Sequence, residues 1–225
     1  MAESQGAPAA RRLVVFDLDG TLTRADTFGP YVLGLLARHP LRALRLPVLI
    51  IPCIGYLLGI TSRGGLKGAI LFLLFAGLQR GAIDRWSAQY AQRVVPGRMF
   101  KDAVAALRGH LAAGDRVILL SASPDLYVPQ IGSALGVHET LCTRVRWKGD
   151  RLDGHLEGEN HRGEEKLRVL ERLRKAHPEL PAIAYGNSEA DLAHMIPCEQ
   201  AVYVNAAPPL SDRLAARGLR CVRWR

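Results

Sequence analysis

The sequence predicts an α/β fold, a doubly wound and mostly parallel sheet with an inserted helical cap. Three observations lead there. Short, continuous apolar runs recur along the chain, each ending on a polar or glycine residue. Amphipathic helical patterns separate them, and one long stretch, 24–95, has no strand rhythm. Uninterrupted apolar runs of this length are the pattern of strands buried on both faces.

The first run, Leu13-Val14-Val15-Phe16, ends at Asp17. The stretch 24–95 reads as helical and lies between the first and second strands. It is therefore expected to form a cap over a core made of residues 11–23 and 96–225. Residues 98–113 carry apolar side chains at helical spacing and stop at Gly114. The second strand, Val117-Ile118-Leu119-Leu120, ends at Ser121. Ser123-Pro124-Asp125 then reads as an N-cap followed by proline at the first helical position. Within 143–157, Lys148-Gly149-Asp150 and Asp153-Gly154 are turn signals that suggest a hairpin. Residues 166–177 form an amphipathic helix ended by Pro178. Ala182-Ile183-Ala184-Tyr185 ends at Gly186-Asn187, and Ala201-Val202-Tyr203-Val204 ends at Asn205. In such sheets ligands bind beyond the carboxyl ends of the strands, which is where these polar residues fall.

Composition narrows the partners. The 225 residues, 48% hydrophobic and 23% charged, suit a globular chain with one core domain and an insertion. A formal net charge of +9 favours anions: nucleic acid, an acidic membrane surface or phosphorylated substrates. The arginines are scattered and no nucleic-acid module accompanies them, so nucleic acid is not expected. Cys53, Cys142, Cys198 and Cys221 form no close pair and no metal-ligand spacing, and read as reduced, mostly buried thiols of a cytosolic protein. Residues 1–10 contain Glu3 and lack an apolar signal core, the pattern of a loose tail and not of an export signal.

Chemistry gathers at Asp17 and Asp19. At an extended strand end, residues two apart point to the same side. Their mutual repulsion then calls for a cation or a shared proton. Magnesium satisfies the first option, since it prefers hard oxygen ligands and few protein carboxylates. Gly20 permits a sharp turn, and the Thr21 hydroxyl can hold the loop. An isolated Asp-x-Asp is as readily a capping and a turn residue; the flanks Phe16 and Gly20-Thr21-Leu22-Thr23 tilt the reading toward a site.

Phe16-Asp17-Leu18-Asp19-Gly20-Thr21 resembles the first motif of the haloacid dehalogenase superfamily of phosphatases, whose core is Rossmann-like. The resemblance extends to three further motifs in order. Ser121, followed by Ala122, matches the second, whose hydroxyl and backbone N–H groups hold phosphoryl oxygens. Lys166, in Gly163-Glu164-Glu165-Lys166, matches the third, which neutralises charge on the transferring group. Gly186-Asn187-Ser188-Glu189-Ala190-Asp191 matches the fourth, with Asn187 where the family usually has Asp. An amide oxygen still ligates magnesium but adds no charge. Asp191 is expected against Lys166 or the metal shell.

The resemblance implies a magnesium-dependent phosphomonoester hydrolase. Asp17 would be its nucleophile and Asp19 its acid and base. Ser121 and Lys166 would hold the phosphoryl group, and Asp17, Asp19 and Asn187 the metal. Arg144, Arg146, His161 and Arg162 are candidates to meet an anionic substrate, or solvated loop charges.

The insert carries a second signal. Residues 46–62 contain no charged side chain, and 68–79 is apolar on every face. Arg38, Arg42 and Arg45 precede the first run, Arg63 and Lys67 separate the two, and Arg80 follows. The first run would reach about 25 Å as an unbroken helix, but Pro47 and Pro52 argue against one. Asp17 and Ser121 flank the insert and must meet in one site, so the chain has to return to its starting side. A monotopic helical hairpin at the inner face of a membrane, among anionic lipids, fits these constraints; a cap core or a dimer interface is the alternative.

With Asp26-Thr27-Phe28-Gly29 and Arg38-His39-Pro40-Leu41, the region resembles the subfamily IB branch that includes phosphatidylglycerophosphatase C and, more distantly, phosphoserine phosphatases. The substrate this implies is a lipid phosphate such as phosphatidylglycerol phosphate. A small soluble phosphomonoester, or a phosphate- or lipid-binding module without turnover, are the competing expectations.

Overall fold

The computed structural model describes residues 11–225, so the expected loose tail, 1–10, lies outside the described residues. The sheet is built from β1 (Leu13–Phe16), β2 (Arg116–Pro124), β3 (Glu139–Lys148), β4 (Arg151–Glu157), β5 (Ala182–Gly186), β6 (Gln200–Val204) and β7 (Arg220–Val222). Among the described residues these seven strands form one sheet in the order β4-β3-β2-β1-β5-β6-β7. All neighbours are parallel except β3 and β4, which form the expected antiparallel hairpin.

β1 shows why the sequence reads as it does. Leu13 and Val15 face one apolar cluster with Val169, Leu170 and Leu173, while Val14 and Phe16 face another with Leu107, Tyr127 and Ile131. Both faces are covered, so no position alternates to polar. Each of these four side chains is 0% exposed, and such burial contributes about 1.5–3 kcal/mol apiece.

The chain leaves β1 toward β2, β3 and β4, then returns across it to β5, β6 and β7. The switch in direction opens a crevice at the carboxyl ends of β1, β2 and β5.

The helices are α1 (Phe28–Arg38), α2 (Ile50–Leu57), α3 (Arg63–Phe75), α4 (Arg80–Gly97), α5 (Lys101–Ala112), α6 (Val128–Leu135), α7 (Glu164–Ala176), α8 (Glu189–Met195) and α9 (Pro208–Ala215). A 3-10 segment, Pro40–Leu49, joins α1 to α2. The rings of Tyr31 of α1, Tyr90 of α4 and Tyr127 before α6 pack with centroids within 5.4 Å of one another, Tyr90 edge-on to the other two. The insert and the sheet therefore share one apolar cluster.

Three expectations are corrected here. Ser123-Pro124 does not open a helix: β2 stays extended through Pro124, and α6 begins at Val128 with Pro129 in its first turn. The Asp125 amide and carboxylate both bond to β3, at Thr143 O and Val145 N, which keeps the backbone extended. The second apolar run is not lipid-facing all round, because Leu71, Leu74 and Phe75 of α3 pack into the core. An added Cβ at Gly154 of β4 (φ +95) would come within 2.6 Å of the Phe72 backbone, so this glycine lets α3 lie against the hairpin. Of the four free thiols only Cys142 is fully buried, and Cys53 is exposed.

The first apolar run behaves differently. Neither the 3-10 segment nor α2 has a buried residue. The stretch Pro40–Leu57 is long and apolar enough to cross a membrane by length and composition, and none of it is buried.

Candidate active site

The crevice holds a cavity of about 700 Å³, lined by Asp17, Asp19, Gly20, Lys166, Asn187 and Asp191 at its floor. Asp17 follows β1 directly, and its amide donates to Tyr185 O of β5 at 3.0 Å. Lys166, in the first turn of α7, donates to Asp17 Oδ1 at 2.7 Å and Asp191 Oδ1 at 2.6 Å. Side chains of all three are 8% exposed or less. Asp191 also accepts from Ser188 N and Ser188 Oγ in the capping box of α8, so that helix fixes its angle.

Burial opposes the charge on these groups, and their neighbours decide the outcome. Asp17 is pushed up to about 7 by burial, against the pull of Lys166 and with a further push from Asp191. Asp191 is buried too, but Lys166 and Ser188 bring it down to about 2. Burial would lower Lys166; the two carboxylates outweigh it and hold the ammonium above its ordinary value.

Asp19 is held as a proton-transfer group would be. Its Oδ1 accepts from Thr27 N at 2.7 Å and Thr27 Oγ1 at 2.6 Å, and its Oδ2 from Ser123 Oγ at 2.6 Å. Burial raises its pKa while these bonds temper the rise. Gly20 (φ +84) makes the turn after it, and an added Cβ there would lie 2.0 Å from Asn187 Nδ2. Thr21 Oγ1 donates to Asn187 Oδ1 at 3.2 Å, tying the first strand's loop to the fifth's.

Ser121 is fully buried, and its Oγ accepts from Ser123 N at 3.0 Å. Ala122 and Ser123 line the cavity beside it.

The donor set suits a hard cation. Two carboxylates, Asp17 and Asp191, share the one buried Lys166 ammonium, and a third, Asp19, lines the same cavity without an ion pair. Asp17 and Asn187, both oxygen-bearing side chains, line the same cavity. Both Asp19 oxygens already accept hydrogen bonds, from Thr27 and Ser123. Among the described residues no cluster of three or more His, Cys, Asp or Glu has metal-site geometry.

A family model for haloacid dehalogenase-like hydrolases matches residues 14–195. The chain belongs to that family.

Protein CicA of Caulobacter vibrioides is 35% identical over 182 residues, covering 80% of this chain and 79% of that one. A crystal structure of a protein of unknown function from Bordetella pertussis Tohama I has a TM-score of 0.78 at 27% identity, covering 95% and 99% of the two chains. A substrate-bound phosphoserine phosphatase shares the fold, with a TM-score of 0.64 at 17% identity, covering 94% and 92%.

In this haloacid dehalogenase-like hydrolase Asp17, Asp19, Lys166, Asn187 and Asp191 line one cavity, while the second motif reaches it through Ala122 and Ser123 and Ser121 itself does not line it. The proposed substrate contacts divide. Arg162 lines the cavity. Arg144 and Arg146 instead pair with Glu157 and Asp153 across the β3–β4 hairpin and do not line the cavity. His161 is half-buried beside Thr143 and does not line the cavity. Sequence reading missed Thr27 and Ser123, which hold Asp19. It also placed Lys67 among lipid-facing charges, although its ammonium turns inward to Ala122 O and to Asn160 Oδ1 at 3.3 Å. The spacing of Thr27, eight residues after Asp19, carries no periodic signal that would have revealed it.

Proposed function

We propose that this hydrolase cleaves phosphomonoesters through an aspartyl-phosphate on Asp17, on a lipid phosphate such as phosphatidylglycerol phosphate. The observation that carries the reaction is the pairing of Asp17, one oxygen held by Lys166, with a second carboxylate in the same cavity, Asp19, whose pKa burial raises. The Asp17 oxygen that Lys166 does not hold attacks phosphorus as the ester P–O bond breaks. Asp19 gives its proton to the leaving alcohol oxygen. It then takes a proton from water, which attacks the same phosphorus and releases inorganic phosphate from Asp17.

Lys166 and the Ser121 hydroxyl steady the charge on the phosphoryl oxygens. Mg2+, which Asp17 and Asn187 would hold, would supply further positive charge to the phosphoryl oxygens. Burial pushes the Asp17 carboxyl up to about 7, which opposes its ionisation, and a bound cation would offset that push.

Residues 24–95 act as a cap in this reading, and the lipid substrate rests on their surface. No acidic residue occurs in 27–83, which carries Arg38, Arg42, Arg45, Arg63, Lys67 and Arg80. Leu41, Leu57 and Ile60 are each at least 80% exposed. Tyr56 of α2 and Arg63 of α3 border both this apolar surface and the cavity mouth. A bilayer with anionic headgroups complements such a face, at the inner leaflet of the membrane.

Phosphate release from phosphatidylglycerol phosphate, phosphatidic acid and phosphoserine, with and without magnesium, tests the reading. Magnesium-dependent release with the lipids preferred supports it. Release from phosphoserine alone, with no sedimentation on anionic liposomes, moves the enzyme to small soluble metabolites. No release from any ester leaves a binding module.

A further inference from the structure

The cavity holds two sets of charges. Lys166 pairs with Asp17 and Asp191, and Asp19 is held by Thr27 and Ser123. Arg24, Arg63, Lys67 and Arg162 line the same cavity with one further carboxylate, Asp26. Asp26 is already engaged, accepting from Gly29 N at 2.8 Å. Among the described residues none of these four cations forms an ion pair with a carboxylate. Arg63 Nε donates to the Tyr56 hydroxyl at 3.0 Å, and Lys67 donates to Ala122 O and Asn160 Oδ1.

Lys67 is the most firmly placed of the four. It stands on α3, which the close approach of Gly154 to Phe72 holds against the hairpin. Gly68, beside it, is buried with Leu156 3.7 Å from where its Cβ would lie. The ammonium is thus presented on a braced helix and not on a mobile tip. Burial brings Lys67 down to about 8, with Asp19 and Asp26 opposing that fall and Arg162 and Arg63 adding to it. Desolvating a cation beside two other cations is unfavourable unless an anion enters the space between them.

The reaction at Asp17 does not employ these groups, because Lys166 already serves the transferring phosphoryl group. A volume of about 700 Å³ also leaves room for the leaving alcohol beside it. Lys67 approaches from the side of Asp19, the acid that protonates that alcohol. We propose that Lys67, Arg63 and Arg162 form a second anion subsite, which holds an additional acidic group on the leaving alcohol and so selects esters that carry one. The group is a phosphodiester or a carboxylate, both of which offer oxyanions to guanidinium and ammonium donors. This rests on the monoester reading of the Asp17 site.

The test compares kcat/KM for glycerol phosphate, whose alcohol is neutral, with phosphoglycerate, which adds a carboxylate. Glycerophosphoglycerol phosphate adds a phosphodiester without acyl chains, and phosphatidylglycerol phosphate in mixed micelles adds the chains. Substrates with the second anion are expected to exceed glycerol phosphate by roughly tenfold to a hundredfold, the range of a charge-assisted hydrogen bond. Lys67→Gln and Arg162→Gln should each cut that ratio about tenfold, mainly through KM.

A ratio unchanged in both variants overturns the subsite, as does a preference confined to the acylated lipid. Arg162→Gln, in the loop before α7, decides the matter should Lys67→Gln fail to fold. If the unmodified protein hydrolyses none of these esters, the monoester reading fails separately. Calorimetry with glycerophosphoglycerol then judges the subsite alone: binding lost in Arg162→Gln supports it, and no binding to the unmodified protein overturns it.

Discussion

Lys166→Met removes the one ammonium that holds Asp17 and Asp191 together. Its Nζ is 2.7 Å and 2.6 Å from their oxygens, and its side chain is 3% exposed. Two charge-assisted bonds at about 1.5–3 kcal/mol each are lost, and two buried carboxylates are left without a cation. Protonation of one carboxylate recovers part of that, so the net loss should be about 3–5 kcal/mol near neutral pH, as for breaking a buried ion pair.

The pH dependence has a definite sign. Without Lys166 the folded pKa values of both carboxyls rise above the unfolded value of 3.8. A raised carboxyl favours the folded state at low pH and loses that contribution as pH increases. The variant's deficit should therefore be smallest near about pH 5 and largest near about pH 8. Urea denaturation in the presence of a chelator, read at both values, measures it. A loss below about 1 kcal/mol that is independent of pH would refute the claim that this charge network is formed before any ligand binds.

Other perturbations follow from the same geometry. Gly20→Ala places a Cβ about where Asn187 Nδ2 lies, at a positive φ. We expect a loss of about 1–3 kcal/mol and of most turnover, read by thermal unfolding and phosphate release. Thr27→Val deletes the hydroxyl that donates to Asp19 Oδ1 at 2.6 Å and should lower kcat by about tenfold to a hundredfold, with circular dichroism unchanged. Ile51→Asp with Leu57→Asp changes side chains that are 74% and 81% exposed, so stability should move by about 0.5 kcal/mol or less. The same pair should abolish sedimentation with anionic liposomes while turnover of a water-soluble ester persists.

Much of the fold was legible because β1, β2, β5 and β6 are buried apolar runs whose ends are polar or glycine. The candidate site was legible for the same reason, since Asp17 and Asn187 directly follow β1 and β5 and Ser121 ends the apolar run within β2. β7 and α9 escaped notice, because Arg220-Cys221-Val222 is too short and too polar to read as an apolar run, although Gly218 precedes it. The helix expected at Pro124 failed because Ser123 and Asp125 spend their polar groups on Asp19 and β3, contacts that local sequence does not encode. Lys67 was misread for a related reason. Its charge pattern fits a lipid-facing helix, and only the packing of α3 against Gly154 turns it into the cavity. The two apolar runs looked alike in composition, yet one is core and the other exposed, a distinction set by which of them meets β4.

The most direct test of the central claim is to trap the covalent intermediate. The enzyme is quenched during turnover of a radiolabelled phosphomonoester, reduced with borohydride and mapped by peptide mass spectrometry. Reduction of an aspartyl-phosphate gives homoserine, which is expected at position 17 and absent in Asp17→Asn. Label on Ser121 or Ser123, or turnover that persists in Asp17→Asn, would contradict the assignment.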